Sequence, residues 1–207
     1  MVDVGTSYNQ LSGRDAERLR TLADGVFAVA MTLLVLDVRL PEGTEASSNG
    51  ALWHQLQALG PEFAAYLLSF TMLGTFWLAE HTLLNVCDRS DRMLAWSVLT
   101  FLFFVSTLPF SASVLSSHVH LPLAVGVYWL NLLGLGLTLG WQVVHVVRAG
   151  LAERTESVVL IRRRLVVAQT LYALAAAISL LSPPASIIAL AAVQLFFIVS
   201  PRLPFRF

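Results

Sequence analysis

From Arg18 to Pro41 the chain reads RLRTLADGVFAVAMTLLVLDVRLP, an apolar run long enough to cross a bilayer that opens on arginines and an Asp-Gly pair. An ionised side chain at the mouth of a membrane helix is expensive, so Asp24 requires a partner or a function. Composition agrees with this reading. A chain that is 57% apolar and 13% charged, with a mean hydropathy of +0.72, is an integral membrane protein with little extramembrane mass.

Hydropathy places six helices, at roughly 20–40, 60–84, 93–115, 122–147, 163–181 and 185–201. The expected fold is an all-α integral membrane protein, with residues 1–207 forming one six-helix transmembrane domain that has short ends. Pro41 and Gly43 close the first span, and Gly60 and Pro61 open the second. Pro122 opens the fourth, and Ser182, Pro183 and Pro184 separate the last two. The first span starts too late and runs too long for a cleaved secretion signal.

All 13 basic residues are arginine, and all but Arg39 fall on the side of the termini. By the positive-inside rule both termini are cytoplasmic. The arginine-rich, lysine-free composition fits a GC-rich bacterial genome and hence a plasma membrane. Glu42 and Glu45, near Asp37, form an acidic rim on the first external loop that either concentrates cations or merely solvates the loop. Arg162, Arg163 and Arg164 fan around a helix instead of repeating along one face, which fits a lipid headgroup anchor better than a voltage sensor. The single cysteine, Cys87, has no internal disulfide partner and reads as structurally passive.

Stepping along the first helix by four and three residues from Arg18 gives Leu22, Gly25, Val29, Thr32 with Leu33 beside it, and Leu36. These lie within a narrow arc, as in a seam facing a neighbour or a symmetry axis, although an all-apolar helix can show such a stripe through ordinary packing. Asp24 lies off that arc, facing a neighbouring helix. A carboxylate there is also stabilised by the free amides of the helix N-terminus, and Arg20 is within i,i+4 reach. Arg18 is too far along the helix to meet Asp24 in the same chain. Gly134, Gly136 and Gly140, with Asn131, allow close helix approach in the fourth span.

The order Arg18, three residues, Leu22-Ala23-Asp24, followed by Gly25-Val26-Phe27-Ala28 and Thr32-Leu33-Leu34-Val35-Leu36, resembles the signature of the transmembrane-protein-175 potassium channel family. That signature reads Arg-x-x-x-Phe-Ser-Asp, so Leu22 and Ala23 stand where the family has an aromatic and a serine. Trp77-Leu78-Ala79-Glu80-His81 resembles the family's Trp-x-x-His-His element, with Glu80 replacing the first histidine. Phe103 to Phe110 resembles its third-helix segment ending in Leu-Pro-Phe.

The resemblance implies a homotetramer in which four first helices surround a central, potassium-permeable pore. Carried over by position, Val29, Leu33 and Leu36 would form the hydrophobic constriction and Thr32 a hydroxyl ring between them. Arg18, Asp24, Trp77 and His81 would form a polar anchor holding the first helix. An apolar ring gates ions by dewetting, whereas a hydroxyl ring replaces part of a cation's hydration shell. Val29 is smaller than the residue usual at the innermost layer, which implies a conductive pore with modest potassium preference. No Thr-Val-Gly-Tyr-Gly carbonyl filter is present. The implied partners are the lipid bilayer and permeant potassium ions, with no cofactor, no bound metal and no nucleic acid.

An enzyme would need a nucleophile with a positioned base, or paired acids, at depth, and the scattered serines Ser106, Ser111 and Ser113 offer none. Glu80 and His81 are adjacent on a helix and point about 100° apart, which disfavours a shared metal. A secondary transporter is the alternative reading. It would require an internal repeat or an ionisable residue near mid-membrane, and Asp24, Asp37, Glu62, Glu80 and Asp88 are all expected toward helix ends. His118 and His120 fall in a short external loop and carry no evident role.

Overall fold

The computed structural model describes residues 16–40, 46–87, 89–152 and 155–199. Glu42, Glu45, Asp88, Arg154 and both chain ends lie outside them. The described chain is all-helical. It comprises α1 (Ala16–Leu34) with a 3₁₀ turn (Val35–Asp37), a short α2 (Asn49–Ala58), α3 (Gly60–Asn85), α4 (Arg92–Ser117), α5 (Pro122–Arg148), α6 (Thr155–Ala177) with a second 3₁₀ turn (Ile178–Leu180), and α7 (Pro183–Val199).

Local chemistry sets these boundaries. Asp91 caps α4, its Oδ1 accepting the Leu94 amide at 2.7 Å. Proline occupies the first turn of α3 and of α5, where its missing N–H is not needed. At the far end of α5, Gly150 takes φ 61°. This lets the Leu151 amide reach the Val146 carbonyl at 3.1 Å and the Gly150 amide reach that of Val147 at 3.3 Å, a Schellman closure.

Two elements differ from the hydropathy reading. The helix α2, opened by Ser48 accepting the Ala51 amide at 3.2 Å, is too short and too polar for a hydropathy window to register. The helix α6 begins at Thr155 instead of 163 because arginine is a good helix former, and a scan for membrane spans rejects what the backbone accepts. Among the described residues, four helical segments are long and apolar enough to cross a membrane, namely Ala16–Asp37, Gly60–Asn85, Arg92–Ser117 and Pro122–Arg148. The six-span expectation is thus met by four segments on these criteria, with α6 too polar and α7 too short.

The helices alternate in direction, so the start of α1, the end of α3, the start of α4 and the end of α5 meet at one arginine-rich end. The core runs between α4 and α5 through fully buried Leu94, Val98, Phe101, Leu132, Leu135 and Leu139. Phe27 of α1 joins it, 5.9 Å from the Phe101 ring. The short α7 is tied in by buried Gln194, whose amide donates to Thr75 Oγ1 at 2.7 Å and the Thr71 carbonyl at 2.8 Å while accepting from Tyr172 at 2.8 Å. Satisfying every atom of a buried amide fixes α3, α6 and α7 in one register.

The glycines of α5 serve close packing. A Cβ on Gly134 would fall 2.4 Å from the Phe104 ring, and one on Gly136 would fall 2.0 Å from Gln169 Nε2. Gly134→Ala is therefore expected to lose about 1 to 3 kcal/mol of stability through overpacking. Thermal unfolding in detergent would measure it, and the loss should shrink when Phe104 is also cut to alanine.

Candidate functional site

Helix α1 carries two stripes at four-three spacing. Ala16, Arg20, Ala23, Phe27, Ala30 and Leu34 turn inward, all buried except the half-buried Arg20. The alanines recur every seven residues and let α1 sit close against α3 and α4. The other stripe, Arg18, Leu22, Gly25, Val29, Thr32 and Leu36, is exposed in the single chain. Val29 is 58% exposed, Leu36 51% and the adjoining Leu33 43%. Nothing lies within 4 Å of where a Gly25 Cβ would stand.

Leu36 sits in the 3₁₀ turn beyond the α-helix, whose last carbonyls are closed by Val38 N–H bonding the Val35 oxygen at 3.1 Å and by Arg39 Nε donating to the Leu36 oxygen. Thr32 gives its hydroxyl hydrogen to the Val29 carbonyl at 2.8 Å. Its Oγ1 is left as an acceptor on an otherwise apolar exposed face, which is the polarity a desolvating cation needs.

The inward stripe is held by two polar contacts on α3. The Trp77 indole donates to Asp24 Oδ1 at 2.7 Å. His81 stacks on Trp77, with ring centroids 5.2 Å apart, and its Nδ1 lies 4.0 Å from the same oxygen. Asp24, Trp77 and His81 are therefore together. Arg18 is not with them, since it stands on the exposed stripe.

The arginine that ties α1 to α3 is Arg20. Its guanidinium donates from Nε to the Leu84 carbonyl at 2.9 Å and from Nη2 to that of Cys87 at 3.0 Å, with a second short bond to Leu84. These carbonyls lie at and just past the C-terminal end of α3, close enough for one planar fork to span both. The signal for Arg20 was its place on the alanine stripe. The Asp24 and His81 side chains are 48% and 40% exposed in the single chain. Trp77→Phe is accordingly expected to cost about 1 kcal/mol of stability, because water can replace the indole. Denaturant titration of the reconstituted protein would measure it.

Two further polar contacts lie at the same end. His145 Nε2 pairs with the Asp91 carboxylate at 2.8 Å, joining α5 to the cap of α4. Glu80, expected near a helix end, is 1% exposed inside the subunit and faces the Gln142 amide of α5. Nothing in the spacing of α3 and α5 pairs Glu80 with Gln142. Cys87 is buried, its thiol donating to the Leu83 carbonyl at 3.2 Å.

The first helix of this bundle is thus clamped along one stripe and bare along the opposite one. The chain belongs to the TMEM175 family, whose model, described as endosomal/lysosomal potassium channel TMEM175, matches residues 18–109. A protein from Streptomyces collinus named as a potassium channel is 33% identical over 140 residues, covering 66% of this chain and 66% of the relative. A Chamaesiphon minutus protein also named as a potassium channel is 31% identical over 107 residues, covering 52% of each. The rat endosomal/lysosomal proton channel TMEM175 is 36% identical over 112 residues, 51% of this chain and 22% of that protein.

The chain thus spans two thirds or less of these relatives' own lengths. The crystal structure described as a lysosomal potassium-selective channel TMEM175 homolog from Chamaesiphon minutus superposes with a TM-score of 0.77 at 25% identity, covering 89% of this chain and 96% of that one. The family and these relatives are channels, not enzymes.

Proposed function

We propose that this protein is a potassium-permeable cation channel in which four copies bring their α1 helices around a central pore. The observation that carries the reading is the bare stripe of α1, apolar from Leu22 to Leu36 except for the Thr32 hydroxyl, on a helix whose opposite stripe is packed against α3 and α4. Val29, Leu33 and Leu36 form the constriction, Thr32 supplies the hydroxyl ring, and no carbonyl filter is used.

Asp24, Trp77 and His81 anchor α1 within each subunit, and Arg18 joins that anchor only across a subunit boundary. The chain spans the bacterial plasma membrane six times, α6 and α7 included, with both termini cytoplasmic. The relatives named as potassium channels support the ion.

The test is ion flux into liposomes holding the purified protein, in potassium and then in sodium. Flux in both with a modest excess for potassium is expected, and no flux from an assembled oligomer overturns the reading. Buried Glu80 is a feature that a secondary transporter would share. Uptake that saturates and moves a fixed number of protons per ion would favour that alternative.

A further inference from the structure

We propose that Glu80 and Gln142 form a proton-binding site inside each subunit, whose occupancy sets how firmly α1 is held; the effect on conduction rests on the channel reading above. One end of the Gln142 amide lies 2.9 and 3.0 Å from the two Glu80 carboxyl oxygens. The other end lies 3.4 Å from the Ser97 carbonyl oxygen of α4. Gln142 and Ser97 are completely buried and Glu80 is 1% exposed, so water does not serve these atoms.

The charged and titratable groups on the surrounding elements are engaged elsewhere or exposed. Asp24 is with Trp77 and His81, Arg20 is on the α3 carbonyls, and Asp91 is with His145. The Cys87 thiol bonds the Leu83 carbonyl. Arg92, Arg148 and Arg162 to Arg164 are exposed. Among the described residues, no arginine or histidine nitrogen comes within 4.0 Å of Glu80.

Three oxygens, two of Glu80 and one of Ser97, face one NH2 group. With the NH2 turned to Glu80, the carboxylate is served and the amide oxygen is set against the Ser97 carbonyl; with the amide oxygen turned to Glu80, the NH2 donates to Ser97 and Glu80 donates its own O–H, its second oxygen then facing the amide oxygen. Neither arrangement brings a cation to Glu80, so a proton is what removes its buried charge.

Release of that proton to water leaves a buried anion with no cationic partner among the described residues, served only by the Gln142 NH2. The contact of α3 with α4 and α5 then loosens. The stretch 77–87, which contains Glu80 and runs just past the end of α3, also carries Trp77 and His81, which hold Asp24, and the Leu84 and Cys87 carbonyls, which hold Arg20. Proton occupancy at Glu80 is thereby passed to the helix that lines the pore.

The experiment is infrared spectroscopy of the full-length protein in lipid vesicles, with potassium flux followed over the same pH series. A protonated-carboxyl C=O band is expected at neutral pH, lost in Glu80→Gln and shifted in Gln142→Leu. Wild-type flux is expected to fall roughly tenfold as pH rises through the range in which that band disappears, and Glu80→Gln to remove that dependence.

A wild-type spectrum without the band, or a band that neither substitution alters, overturns the site even if flux is present. A pH profile unchanged by Glu80→Gln overturns the coupling to α1. Absence of flux at every pH counts against the channel reading alone, since the band still decides the site. If Glu80→Gln does not fold, the Gln142→Leu shift decides the assignment.

Discussion

Leu33→Ala is expected to raise potassium flux by at least about tenfold, equivalent to about 1.4 kcal/mol off the permeation barrier. In a four-fold assembly the substitution removes an isobutyl group from each copy at one level of the pore. A wider, less apolar ring holds water more readily, and dewetting is what an apolar constriction uses to resist ions. The same substitution on the inward stripe, at Leu34, acts oppositely. Leu34 is 2% exposed, and its loss leaves a cavity in the subunit. Leu34→Ala is expected to lower stability by about 2 to 5 kcal/mol without widening the pore. Thr32→Ala is expected to leave flux present while reducing the preference for potassium over sodium. Liposome flux assays on the variants read all of these effects.

Arg20→Ala is expected to destabilise the protein by about 3 kcal/mol, because the charge-assisted hydrogen bonds to the Leu84 and Cys87 carbonyls that tie α1 to α3 are lost. The loss should appear as a lower unfolding midpoint and as weaker association of α1 with α3. Arg20→Lys is expected to recover only part of it, since an ammonium group cannot span two carbonyls in a planar fork. Arg18→Ala, on the bare stripe, is expected to leave the stability of the isolated subunit nearly unchanged. A larger effect of Arg18 than of Arg20 on the monomer would mean that the two arginines have been given the wrong faces.

The bare stripe was legible in the sequence because four-three spacing from Arg18 generates it directly. Its orientation was not, since α1 is apolar all round and a second stripe of the same spacing, from Ala16 to Leu34, runs along its opposite side. The deciding signal was side-chain size: alanines seven residues apart mark the face on which backbones approach. Asp24 was correctly expected to meet another helix, whereas Arg20 was read only as a local partner for Asp24. Long-range contacts to main-chain carbonyls leave no trace in spacing. Glu80 and Gln142 were hidden for a similar reason, because their pairing depends on the rotation of α3 against α5. The spans of α3, α4 and α5 were placed within a few residues, helped at α3 and α5 by prolines in their first turns. The helices α2 and α6 were misjudged because hydropathy tests for membrane burial, not for helix formation.

The most direct test of the account is thiol block of potassium flux. Cys87 is buried and should be silent, so Thr32→Cys can be introduced and treated with a charged, membrane-impermeant thiol reagent while flux is recorded. The account predicts that flux through Thr32→Cys falls to background, that the wild type is unaffected, and that Leu130→Cys, exposed on α5, is equally unaffected. Persistent flux after demonstrated labelling of Thr32→Cys would contradict it, because an ion path lined by α1 cannot stay open around four charged adducts.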